Sequence, residues 1–144
     1  MARVKLDLPQ EFNFSTEIPV RVSDINYGGH VGNDSILSLV HEARVRFLKE
    51  YGFTEADVGG PRLIISDAII VYKSQSFYGD TFIIEVAVGD ISGHSCDILY
   101  RITQQTTGKE VARAKTGIVF YDYEKGKVAD TPLRFKETFS IPQS

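Results

Sequence analysis

The sequence predicts an α+β fold in which a five-stranded antiparallel sheet wraps one long helix, and three observations predict it. Four segments alternate apolar and polar residues with the period of a strand, and a fifth, near residues 62–75, is strand-like. One segment repeats its apolar residues at intervals of three and four, and the later strands are joined by short connections containing glycine. The order is strand, loop, helix, then four strands, with no repeat, linker or low-complexity tract, so residues 1–144 read as a single domain.

The first strand falls over residues 12–22, where Phe12, Phe14, Ile18, Val20 and Val22 keep even spacing and Pro19 points to an edge or a bulge. Three glycines and two asparagines crowd the next segment, Ser23 to Asn33, which reads as a structured loop. From Asp34 to Tyr51, the residues Ile36, Leu39, Val40, Ala43, Phe47 and Leu48 form one apolar helical stripe. Asn33 or Asp34 is placed to cap its start, and Gly52 suits the left-handed position that ends a helix. This reads as the only substantial helix.

After the break at Gly59-Gly60-Pro61, strands are expected near residues 62–75, 81–92, 95–106 and 110–122. Their alternating sets are Phe82, Ile84, Val86 and Val88; Cys96, Ile98, Tyr100 and Ile102; and Ala112, Ala114, Thr116, Ile118 and Phe120. The connections at Gly79, Gly93 and Gly108 fit antiparallel hairpins, so the later strands should form a meander. To bury both elements, the helix must set its stripe on the concave face of the sheet. Sheet edges and apolar outward residues such as Leu63, Ile65, Ile69 and Val71 then remain, and edge-to-edge pairing of two copies covers them. A homodimer is therefore expected, with a dimer of dimers as the larger alternative.

Composition narrows the function. The chain has 144 residues, 42% hydrophobic and 24% charged, with a net charge of −3. No excess of positive charge is present for phosphates or anionic lipid, so neither a nucleic acid nor a membrane is the expected partner. Leu63-Ile64-Ile65 and Ala68 to Tyr72 are far shorter than the roughly 20 apolar residues that cross a bilayer. Acid and proline interrupt the start, Met1 to Pro9, where a secretory leader needs an apolar stretch, which points to the cytoplasm. Cys96 is the one cysteine, excluding an internal disulfide and a cysteine-built zinc cage. His30, His41 and His94 lack metal-ligand spacing, so no metal or other cofactor is expected.

The loop before the helix is where chemistry can sit. Free amides at a helix start carry partial positive charge and suit an oxygen that becomes negative during acyl transfer, and glycines let a substrate approach the backbone. Tyr27, Gly28, Gly29, Val31 and Asn33 are the substrate-contact candidates there. Asp24 and Glu42 are candidate general bases; Asn26 can bind a carbonyl or orient water but cannot take a proton; His30 can do either job.

The run Arg21-Val22-Ser23-Asp24-Ile25-Asn26-Tyr27-Gly28-Gly29-His30-Val31-Gly32-Asn33, followed by His41-Glu42-Ala43-Arg44, resembles the signature of hotdog-fold acyl-CoA thioesterases of the 4-hydroxybenzoyl-CoA thioesterase type. Phe77-Tyr78-Gly79-Asp80-Thr81 and Thr131-Pro132-Leu133 extend the likeness over almost the whole chain. The resemblance implies a dimer that binds an acyl-CoA or acyl-carrier thioester across its interface. It also implies a catalytic aspartate where this chain has Asn26, a departure that leaves water attack assisted by Asp24, Glu42 or His30. If the substrate is a CoA ester, Lys73, Arg113 and Lys115 are candidates for its phosphates.

Each residue also has a plainer reading. His30 can pack or cap backbone, Asn26 can fix the loop as an Asx-turn, and Asp24 can brace it. Glu42 and Arg44 can form a solvated or interhelical ion pair, unless a dimer interface buries Glu42 and raises its pKa. Cys96 shares a strand face with Ile98 and Tyr100 and reads as core, and His94 as a hairpin residue. The sequence favours an acyl-CoA thioester hydrolase in which helix-entrance amides polarise the carbonyl. The alternative is a dimer of the same fold that binds the thioester without cleaving it, and hydratase chemistry ranks last.

Overall fold

In the computed structural model, residues 3–140 are described; Met1, Ala2 and residues 141–144, including the first two residues of the leader reading, lie outside them. Strand β1 (Phe14–Pro19) leads through a short 3-10 turn into helix α1 (Asn33–Glu50). Strands β2 (Arg62–Tyr72), β3 (Thr81–Gly89), β4 (Ser95–Gln104) and β5 (Glu110–Asp122) follow, then β6 (Lys127–Val128) and helix α2 (Leu133–Phe139). The antiparallel sheet runs β1-β3-β4-β5-β2, so β3, β4 and β5 form the expected meander and β1 and β2 are its edges.

The alternating residues pair in register. Ile84 faces Ile102, Val86 faces Tyr100, and Ile98 faces Thr116, which places one inner face across three strands. All six residues of the predicted stripe on α1 are buried in the same core. The hydrophobic effect fixes the helix on this face, because both surfaces would otherwise stay in water. Gly52, at φ +82°, takes the left-handed position, and the Phe53 N–H turns back to the Leu48 carbonyl at 2.8 Å.

Four expectations need correction. The sheet has six strands, because Lys127 and Val128 add a two-residue pairing to the end of β5. The short helix α2 sends Phe135 and Phe139, one turn apart, into the core beside Phe120 and Phe47; its period was too brief to stand out. The start of α1 is capped by neither Asn33 nor Asp34: Gly32 is the N-cap, its carbonyl accepting from Ser35 and Ile36, which makes Asn33 the first helical residue.

The fourth concerns β2. Leu63 is buried and pairs with Phe120, so it points inward, as does Ile65 opposite Ile118. A bulge at Ser66 then reverses the alternation, and Ala68, Ile70 and Tyr72 take the inner face while Ile69 and Val71 turn out. Gly117 makes room for it. A Cβ at that position would sit 2.7 Å from Ser66 Oγ and closer still to Asp67, whose carboxylate accepts the Gly117 N–H at 3.1 Å.

Candidate active site

The loop between β1 and α1 meets the end of β2 around a cleft of about 310 Å³ at the start of the helix. Asn26, His30, Val31, Asn33, Lys73 and Ser76 are among the residues that line it. It falls at the small end of ordinary ligand pockets.

The loop's own hydrogen bonds decide what it can offer. The N–H groups of Gly28 and His30 go to Asn26 Oδ1, at 2.9 and 3.2 Å, and that of Gly29 goes to the Asn26 carbonyl. Val31 donates to the Ser76 carbonyl at 2.8 Å, and Gly32 to the Asp24 carbonyl at 2.9 Å. Four of these amides are spent inside the loop and that of Val31 on Ser76, which corrects the expectation that the helix-entrance amides as a set polarise a carbonyl: those from Gly28 to Gly32 are already occupied. The helix-start amides of Asn33 and Asp34 have no acceptor among the described residues, as the first turn of any helix leaves them.

Asn26 takes the Asx-turn role, but only through its oxygen. With Oδ1 accepting two N–H groups, the other end of the amide is Nδ2, a pure donor at the cleft with no acceptor among the described residues. The His30 ring packs edge-on against Phe77 at 5.5 Å between centroids, and His30 is the one imidazole in the lining. Tyr72 donates its hydroxyl to the Asn33 carbonyl at 3.0 Å; burial and the nearby Asp34 carboxylate push its pKa up, so the phenol stays protonated.

Both carboxylates sit elsewhere. Asp24 is buried, and its side chain is engaged by the backbone N–H and guanidinium of Arg21 at 2.8 to 3.2 Å, which makes it the brace of the 3-10 turn. Glu42 faces solvent and pairs with Arg46 at 2.8 Å, while Arg46 also reaches Thr16 and the Glu17 carbonyl on β1. Neither lines the cleft. Of the three cations, Lys73 lines it; Arg113 is held by Glu110 and the Leu6 carbonyl, and Lys115 lies with it on the outer face of β5. Tyr27 is fully exposed and, like Gly28 and Gly29, outside the lining.

One lining residue escaped the sequence. Ser76 is buried, yet its hydroxyl has no partner among the described residues. A serine in an irregular stretch between two strands carries no periodic signal, and only its unpaired hydroxyl beside the cleft singles it out. Cys96 is core, with burial pushing its thiol up to about 12, and His94 sits by the Ala129 carbonyl, away from the cleft.

The profile of the thioesterase-like superfamily matches residues 20–139. Among solved structures, the chain is similar to a 1,4-dihydroxy-2-naphthoyl-CoA thioesterase from Synechocystis, with 24% identity over 88% of this chain and 95% of that one and a TM-score of 0.80. It is also similar to a thioesterase from Thermus thermophilus solved with coenzyme A and zinc (21% identity, 88% and 97% covered, TM-score 0.77). A third is a DHNA-CoA thioesterase from Staphylococcus aureus (20% identity, 81% and 78% covered, TM-score 0.73). At these identities the structures speak for the shared fold. No curated protein matches the chain.

Proposed function

The chain belongs to the thioesterase-like superfamily, and from that membership we propose that it hydrolyses an acyl-CoA or acyl-carrier thioester in the cleft at the start of α1. The observation that carries the reading is the set of unspent donors there: Asn26 Nδ2 and the first amide of α1 at Asn33. Such donors stabilise a carbonyl oxygen as it becomes negative, and fixed ones do so without reorganising.

In this mechanism water attacks the carbonyl carbon and its proton passes to His30; the C–S bond breaks and the thiolate departs. Asn26 donates to the carbonyl or to the water. Lys73 is the cation at the mouth for a phosphate of the CoA moiety. Asp24 and Glu42, each committed to an arginine away from the cleft, leave the base role to His30. The scheme extends to residues 1–144 as one domain, cytoplasmic, in a homodimer that pairs along the free edge of β2, from which Ile69 and Val71 turn outward.

Release of free thiol from a panel of short, long and aromatic acyl-CoAs tests the reaction, and no release above background with any of them overturns it. The second reading, a dimer that holds the thioester uncleaved, draws on Asn26 in the place of the family's aspartate. A large gain of hydrolysis in Asn26→Asp favours the binder, and a loss favours an asparagine-dependent enzyme.

A further inference from the structure

A second groove of about 380 Å³ lies farther along the seam between α1 and β2, lined by Leu37, Ser38, His41 and Arg44 from the helix and Ile65, Ala68 and Thr116 from the sheet. The bulge at Ser66 makes it. Ile65 and Ala68 are three residues apart, so in a regular strand they would point to opposite faces; the extra residue turns both inward.

At its floor, Arg44 has a side chain only 7% exposed. Its Nε donates to Glu55 at 2.9 Å and its Nη1 to the Tyr100 hydroxyl at 3.3 Å, while Tyr100 lies 2.8 Å from the Thr116 hydroxyl. The other Glu55 oxygen lies 2.8 Å from His41 Nε2. Nη2 takes no part. It has no acceptor among the described residues, and it is not sealed away either, since the sealed unpartnered side-chain atoms there are Ser76 Oγ and Arg101 Nε. The guanidinium is largely withdrawn from bulk water and has an accessible donor to spare, so an arriving anionic acceptor gains a charge-assisted hydrogen bond there.

We propose that this groove recognises a carboxylate at the end of an apolar chain. Leu37, Ile65 and Ala68 supply the walls for the chain, and Arg44 Nη2 supplies a charge-assisted hydrogen bond to the carboxylate. Glu55 does not repel the incoming anion strongly, because both its oxygens are engaged and Arg44 offsets its charge. Taken with the thioester reading, on which this part of the inference rests, the substrate class is an acyl group whose far end is a carboxylate. Asn33 at the cleft and Arg44 at the groove are separated by about three helical turns, roughly 16 Å, the reach of a long chain rather than a short one.

Two measurements test it, the first independent of hydrolysis. Hexanoate and hexanol are titrated into the protein while the Arg44 Nε–H and His41 ring signals are followed by NMR. Hexanoate is expected to shift both and to bind about tenfold more tightly than hexanol, the scale of one charge-assisted hydrogen bond. Ala68→Trp, which fills the groove from the strand opposite Thr116, is expected to remove the hexanoate-induced shifts. Unchanged signals at saturating hexanoate, or shifts that persist in Ala68→Trp, overturn the subsite and leave thioester hydrolysis standing.

The second compares dodecanedioyl-CoA with dodecanoyl-CoA. About a tenfold preference in kcat/KM for the diacid, falling toward one in Arg44→Lys or Ala68→Trp, is expected; a ratio of one in the unmodified protein overturns the assignment to the acyl group. If no thioester is cleaved while hexanoate still shifts Arg44, the subsite stands and the hydrolase reading fails.

Discussion

The side-chain carbonyl of Asn26 accepts the Gly28 and His30 N–H groups at 2.9 and 3.2 Å, so the amide is locked with its donor end left over. An aspartate could hold the same two N–H groups but would present a second acceptor to the cleft. In an enzyme that uses the donor, Asn26→Asp is expected to keep the loop and lower kcat/KM by about a hundredfold, the usual loss for one oxyanion donor. Steady-state thiol release, with the backbone amide signals of Gly28 and His30 as the check on the loop, measures it.

Ser76→Ala removes a buried hydroxyl that has no protein partner. Thermal unfolding should be unchanged or slightly raised, because no hydrogen bond is lost. If the hydroxyl meets the thioester, kcat/KM should fall about tenfold in the same variant. A lower Tm with unaltered kinetics would count against a ligand contact.

Glu55 is pushed below its ordinary value of 4.5: burial acts in the opposite direction, but the hydrogen bonds and charges of His41 and Arg44 outweigh it. Because the unfolded chain binds this proton more readily, Glu55 contributes stability that is complete above the ordinary glutamate value and is lost as pH falls through the lower folded value. Urea midpoints followed downward from neutrality should therefore drop more steeply in the parent protein than in Glu55→Gln. Parallel curves would show that the carboxylate contributes nothing.

Gly117→Ala should cost about 1–3 kcal/mol, since its methyl meets the Asp67 carboxylate and the Ser66 hydroxyl at the bulge. Deleting Ser66 from the Ala variant removes the extra residue and restores plain alternation with Ala68 still opposite Thr116 on the inner face, so stability should return in part while the groove at Arg44 is kept. Urea unfolding and hexanoate titration read the two effects separately.

Cys96 should resist thiol reagents at neutral pH in the folded protein and react on unfolding, because burial, helped by the nearby Asp97 charge, pushes its thiol up to about 12. Colorimetric thiol titration with and without denaturant checks this.

The strands and α1 were legible because burial imposes a period: Ile84, Val86 and Ile98 alternate, and Leu39, Val40, Ala43 and Phe47 repeat by turns. The face of Leu63 was not, because a one-residue bulge leaves no mark in composition and inverts every later side chain of its strand. At the cleft, residue types pointed to the loop and the helix entrance, but the hydrogen bonds that occupy the amides from Gly28 to Gly32 were invisible from spacing, as was the donor that Asn26 keeps free. Arg44 reads from sequence as half of a solvated pair; Glu55, which lies outside the helix, buries it instead.

The irregularity at Ser66 also governs what can zip onto the margin of the sheet. A flat extended strand laid along β2 from Arg62 meets a break in the hydrogen-bonding ladder halfway, and only a partner with its own offset at the matching point can continue to Tyr72. Indiscriminate stacking into fibrils is thereby obstructed at the molecule's longest open border, without one charged side chain being needed for the purpose.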